Sequence, residues 1–197
     1  MTKPMTNRDA IDLLKRMIGV PSYSRNESMV ANLMEKYLRE LGLNPVRHLE
    51  NVWTKNKNFD PKKPTILLNS HLDTVKPNSG YTNDPFTAEE KDGKLFGLGS
   101  NDAGASVVSL LTAFVHFNEM PDLKYNLIFA ATAEEEISGA NGIESLLPTI
   151  ESAVGKISCA LVGEPTGMQM AVAEKGLLVL DCVSLGRSGH AARDEGD

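Results

Sequence analysis

Apolar residues recur at helical spacing twice before any strand is expected. Ala10, Leu13, Leu14 and Met17 mark an amphipathic helix over residues 6–18, with Thr6 or Asn7 placed to cap it. Asn26 or Ser28 starts a second helix through Met29, Leu33, Met34, Tyr37 and Leu41, which stops at Gly42. Residues 45–55 read as two short strands around Leu49, Glu50 and Asn51, followed by the turn-rich stretch FDPKKP. Three short continuous apolar runs come next, at residues 65–69, 126–132 (NLIFAAT) and 158–163 (SCALVG). Such runs predict strands covered on both faces. Helical stretches separate them at 103–117 and roughly 142–151.

Alternating buried strands and helices predict an α/β fold with a mostly parallel mixed sheet. Ligands gather at the C-terminal ends of such strands, so the polar residues just past each apolar run carry the functional information. Those residues are His71 and Asp73, then Asp102 after the glycine-rich GLGSND, then Glu134, Glu135 and Glu136, then Glu164. Each has a plain alternative: Asp102 could cap the helix that follows it, and a triple glutamate is usually a solvated face. Together they are harder to dismiss, because acids converging on one sheet edge repel each other unless a cation holds them. One imidazole among several carboxylates suits zinc, manganese or cobalt better than calcium or magnesium. Asp102 could offer one oxygen to each of two ions, and Asp73 could orient His71 from behind through the ring nitrogen facing away from the metal.

Composition narrows the partners. The 197 residues are 41% hydrophobic and 23% charged, as in an ordinary globular chain, and the formal net charge is −6 with Lys and Arg scattered among acids. No basic patch favours nucleic acid or an anionic membrane, so the expected partner is a small polar substrate or a metal. No run of eighteen apolar residues and no signal-like leader occurs, and Cys159 and Cys182 sit in apolar contexts as reduced core residues. These features together predict a cytoplasmic protein.

The motifs SHLDTV, the glycine-rich loop ending in Asp102, AEEEISG, VGEPT and GRSGHAA make the chain resemble the family of two-zinc amidohydrolases that includes acetylornithine deacetylase, succinyl-diaminopimelate desuccinylase and aminoacylase. The resemblance runs from about Met5 to the end. It implies a zinc-exopeptidase-like catalytic domain with helices flanking the sheet. It also implies His71 and Glu164 on one zinc, Glu136 on the other and Asp102 bridging, with Co2+ or Mn2+ as substitutes. Glu135 would be the general base, taking a proton from the metal-bridging water and passing it to the leaving amine. His190 would belong to a lid domain and reach, in a homodimer, into the partner's site to bind the oxyanion. His48 and His116 match no motif and read as structural.

The chain departs from the family pattern in two places. Ala103, Gly104 and Ala105 stand where relatives often carry Met-Lys-Gly. The second zinc's histidine normally comes from a C-terminal segment, and the sequence stops at Asp197. The expected division is therefore residues 1–174 as the N-terminal part of the catalytic domain and 175–197 as the start of an incomplete α+β lid, in a truncated chain. Within the family, EEEISG and GHAARDEGD look most like acetylornithine deacetylases and relatives acting on succinylornithine or acetylcitrulline, which serve arginine synthesis. The desuccinylase of lysine synthesis and the dipeptidases stay open, and so does an inactive metal-binding or dimerising fragment. Nucleotide binding is disfavoured, because glycines 97, 99 and 104 miss the G-x-G-x-x-G spacing.

Overall fold

Thr6 opens the first helix with a reciprocal cap. Its hydroxyl accepts the Asp9 N–H at 3.2 Å, while the Asp9 carboxylate accepts the Thr6 N–H at 2.9 Å. The helix, α1 (Asn7–Ile18), turns Leu13, Leu14, Met17 and Ile18 inward. Helix α2 (Ser28–Glu40) buries Val30, Ala31, Met34 and Leu38 and is followed by Gly42 at φ +80°. In this computed structural model, residues 2–173 are described, together with Gly176, Leu178, Leu180, Cys182 and Val183. The chain divides into two compact units, residues 1–165 and 166–197, and all the elements named here lie in the first.

Strands β1 (Val46–His48) and β2 (Asn51–Lys55) form an antiparallel hairpin at one side of a five-stranded sheet. Strand β3 (Thr65–His71) lies between β6 (Asn126–Thr132) and β7 (Cys159–Val162), parallel to both, and the full order is β1-β2-β6-β3-β7. A separate hairpin, β4 (Glu89–Lys91) with β5 (Lys94–Phe96), is absent from the sequence expectation. Its turn residues Asp92 and Gly93 both have positive φ, +52° and +72°, as a tight two-residue hairpin turn requires.

Alternating side chains of the sheet feed two cores. Val52, Leu68, Leu127, Phe129 and Ala131 pack against α1, α2 and α3 (Ala105–Phe117). Trp53, Leu67, Ile128 and Ala130 pack against Leu146 and Ile150 of α4 (Ile143–Val154). The connection from β3 to β6 thus runs through α3 on one face, and that from β6 to β7 runs through α4 on the other. The C-terminal ends of β3, β6 and β7 lie on one side of the sheet, the side where ligands gather in such folds.

Two expectations fail at β7. The strand is exposed along its whole length, with Leu161 at 51% and Val162 at 58%, because among the described residues only β3 pairs with it. Cys159, on this edge, is exposed and free rather than buried, and Cys182 is likewise exposed and free. Among the described residues, no helix is long and apolar enough to cross a membrane.

The end of β7 is nonetheless tightly placed. A Cβ added at Gly163 would lie 2.8 Å from Ser106 Cβ and 2.9 Å from Leu110 Cδ1, so the backbone here touches α3 with no room for a side chain. Gly163→Ala is expected to cost about 1–3 kcal/mol by overpacking, read as a lower urea midpoint. An unchanged midpoint would show that α3 yields freely.

Candidate metal centre

His71 closes β3 at this end of the sheet and is 1% exposed. The β3–β6 ladder continues past it, since Leu72 N–H donates to the Thr132 carbonyl at 2.7 Å. The ring's Nδ1 lies 2.9 Å from the backbone carbonyl of Asp73 and 3.4 Å from its carboxylate. The nearer orienting group is therefore Asp73's own carbonyl, with the carboxylate behind it. Nε2 faces outward, 3.1 Å from Asp102 Oδ1 and 3.8 Å from both Glu135 Oε2 and Glu164 Oε1.

Asp102 reaches that position from an irregular turn, Ser100–Gly104. The turn is entered through Gly99 at φ +71°, where a Cβ would lie 2.6 Å from Thr74 Cγ2, so only glycine passes without strain. The peptide after Asp102 is cis. Asp102 does not cap α3, which begins at Ala105 and has no side-chain cap. It is half exposed and turned to His71 instead.

The triple glutamate separates into different roles. Glu134 is buried at φ +55° and turns back on its own loop, accepting from Asn141 N–H at 3.2 Å and Asn141 Nδ2 at 2.9 Å. Glu135 and Glu136 open a one-turn 3-10 helix, and their N–H groups donate to Asp73 Oδ1 and Oδ2, each at 3.1 Å. Asp73 also accepts from Ser24 Oγ at 2.8 Å. Glu164 follows Gly163, whose N–H donates to the Asn69 carbonyl at 2.8 Å and whose carbonyl accepts from Ser70 Oγ at 2.8 Å.

Charge at this site is unbalanced. Burial opposes a charge on His71, but Asp73, Glu164 and Asp102 outweigh it and raise its pKa to about 9. Burial raises Glu136 and the nearby Asp102 charge adds to it, while Glu164 is raised by burial with His71 opposing. For Asp73 burial acts upward, yet the bonds from His71, Ser24 and the two amides hold it below the ordinary carboxylate range. Among the described residues no lysine or arginine pairs with Asp102, Glu135, Glu136 or Glu164.

The donor set fits a divalent cation. Ligand atoms of His71, Asp102 and Glu136 lie within 4.8 Å of one another, as do those of His71, Glu135 and Glu164. Both triads use His71, whose single outward nitrogen serves one ion, so the triads alone do not divide the acids between two ions. His190 lies outside the described residues. Ser24 and Glu27 support this site without having been singled out in the sequence, and neither sits in a spacing that would mark it; Glu134, read there only as part of the acidic run, supports the loop instead.

Residues 67–177 match the model of Peptidase family M20/M25/M40. Over 193 residues the chain is 33% identical to the succinyl-diaminopimelate desuccinylase of Buchnera aphidicola subsp. Cinara cedri (strain Cc), covering 94% of this chain and 48% of that protein. The chain thus spans about half the length of this curated relative. The M20 family metallo-carboxypeptidase Sso-CP2 from Sulfolobus solfataricus superposes with a TM-score of 0.65 at 22% identity, covering 81% of this chain and 37% of that one. The Bacillus subtilis YXEP protein, a dinuclear metal-binding peptidase of the M20 family, gives 0.57 at 19%, covering 79% and 42%. Both likenesses place the fold among M20 metallopeptidase catalytic domains.

A protonated His71 makes cation uptake pH-dependent. The neutral ring is the ligand, so binding zinc at pH 7.5 should release about one proton or more per ion, read by calorimetry in buffers of different ionisation enthalpy. For the metal-free chain the sign is the reverse. His71 is raised from 6.5 to about 9, so its stabilising contribution is complete below 6.5 and lost as pH rises through about 9. Zinc uptake without proton release would refute this charge state.

Proposed function

The chain belongs to Peptidase family M20/M25/M40, and from that premise we propose that it serves a zinc-dependent amide hydrolase that removes an acyl group from the amino group of a small amino acid. The observation that carries this reading is the convergence of Asp102, Glu135 and Glu164 on the outward nitrogen of one buried imidazole, with no basic side chain to neutralise them among the described residues. His71, Asp102, Glu136 and Glu164 would hold the metal, with zinc favoured over cobalt or manganese. When bound, the metal would polarise the scissile carbonyl and stabilise charge on its oxygen.

The remaining work falls to the chain's own side chains. Asp73 fixes the imidazole through its carbonyl and anchors the 135–136 turn through its carboxylate. Glu135, about half exposed and 3.8 Å from His71 Nε2, would take a proton from the attacking water and return it to the leaving amine. His190 would bind the oxyanion across a homodimer, and residues 1–174 and 175–197 would be catalytic and lid portions. A cytoplasmic location belongs to the same reading, supported by two free thiols.

Two substrate readings have specific support. The EEEISG and GHAARDEGD motifs favour an N-acylornithine or N-acylcitrulline. The desuccinylase relative favours N-succinyl-diaminopimelate.

In a chain extended to its relatives' length, Glu135→Ala should retain zinc and lose turnover by about 10²–10⁴-fold, while Asp102→Ala should lose zinc. Parallel assays on N-acetylornithine, N-succinyl-diaminopimelate and a dipeptide identify the substrate. Wild-type zinc content and hydrolysis in both variants would overturn the assignment. Zinc binding without hydrolysis of any of the three would favour the inactive-module reading.

A further inference from the structure

Three consecutive N–H groups, those of Glu134, Glu135 and Glu136, point inward, and each ends on a buried carboxylate. Two reach Asp73. The Glu134 N–H reaches Oε1 of Glu27 at 3.0 Å, across 107 residues of sequence. The same oxygen accepts the Arg25 N–H at 2.9 Å.

Glu27 is an unusual residue in this place. It is 1% exposed, it pairs with no basic side chain among the described residues, and its Oε2 has no hydrogen-bond partner there. A buried acid without a counter-charge costs stability. It stands at the N-cap of α2, yet its side chain makes no bond to the helix's own amides. A serine, aspartate or asparagine would cap the helix better. Helix stability therefore does not explain the carboxyl; what its Oε1 does is accept the local Arg25 N–H and, across 107 residues, that of Glu134.

That bond meets the loop at its most demanding point. Glu134 adopts φ +55°, ψ +25°, a conformation that L-residues populate sparsely and that persists only where surrounding contacts fix it. Its carbonyl accepts the Gly139 N–H at 2.8 Å and its carboxylate takes Asn141, so Glu27 supplies the constraint on the amide side.

We propose that Glu27 is a positioning residue: its Oε1 pins the peptide before Glu135 to the start of α2, so that Glu135 and Glu136 present their side chains beside His71. This rests on reading those two acids as base and ligand. Asp73 fixes the two following amides, and Glu27 sets the direction from which the chain enters the turn.

The test uses Glu27→Ala, Glu27→Gln and Leu38→Ala, the last a packing control elsewhere in α2. Amide hydrogen exchange is followed on the metal-free chain, and Zn2+ affinity by competition with a chromophoric chelator. For Glu27→Ala, the 134–136 amides should exchange about tenfold faster or more, and Zn2+ should bind about 10–100-fold more weakly. Glu27→Gln keeps an acceptor oxygen and should stay within about threefold of wild type in both readouts. Leu38→Ala should lower the thermal midpoint and move neither. Wild-type exchange and affinity in Glu27→Ala, or an equal affinity loss in Leu38→Ala, would overturn the proposal. If Glu27→Ala does not fold, Glu27→Asp replaces it with the same expectations, since it withdraws the carboxylate by one methylene. Should the wild-type chain bind no Zn2+, the metal reading fails, while the exchange of Glu134 still decides the role of Glu27.

Discussion

The site depends first on one buried carboxylate. Asp73 stands two residues beyond β3, fully enclosed, and joins three separate segments: the loop before α2 through Ser24, the end of β3 through His71, and the turn after β6 through the amides of Glu135 and Glu136. A carboxylate this buried is tolerable only when its lone pairs are filled. Filling them draws the three segments together. The orientation of the imidazole and the placement of the two acids are thus one arrangement, and disturbing any donor to Asp73 disturbs both.

The sheet explains why this arrangement falls where it does. The strands that carry His71, the glutamates and Glu164 run parallel, so their C-terminal ends open on one side. Asp73 ties the loop after β3 to the turn after β6, so the acids that follow these strands converge at that end of the sheet. The chain thus gathers at that end more negative charge than its own cations offset. An electrostatic cost of this kind is typical of a site whose missing charge arrives from outside.

The main frame was legible in the sequence for a physical reason. Strands covered on both faces must be apolar throughout, and β3 and β6 show this within a residue or two of their bounds. The same signature misled at β7, because an apolar run records composition and not cover. The β4–β5 hairpin was missed although Asp92-Gly93 is a turn signal, since the flanks EEK and KLF carry too little alternation to suggest strands. The candidate ligands were found from their place after each run. The roles given to Glu135 and Glu136 came from the family resemblance and not from the run itself, in which three identical residues carry no pattern; the turn of Glu134 back on its own loop was not legible, because its positive φ arises from tertiary contacts. Glu27 was invisible for the same reason: its partner is 107 residues away.

Strand β7 is held along one flank only, with its outer backbone groups unpaired among the described residues. Strands in that position open locally at lower cost than the strands beside them. Glu164 therefore follows a strand at the sheet's margin, whereas His71 ends one in its interior. A cation bound between them would act as a staple from the sheet's interior to its margin. Loading the site would then tie that margin to the interior, and the ion would serve the fold mechanically as well as chemically.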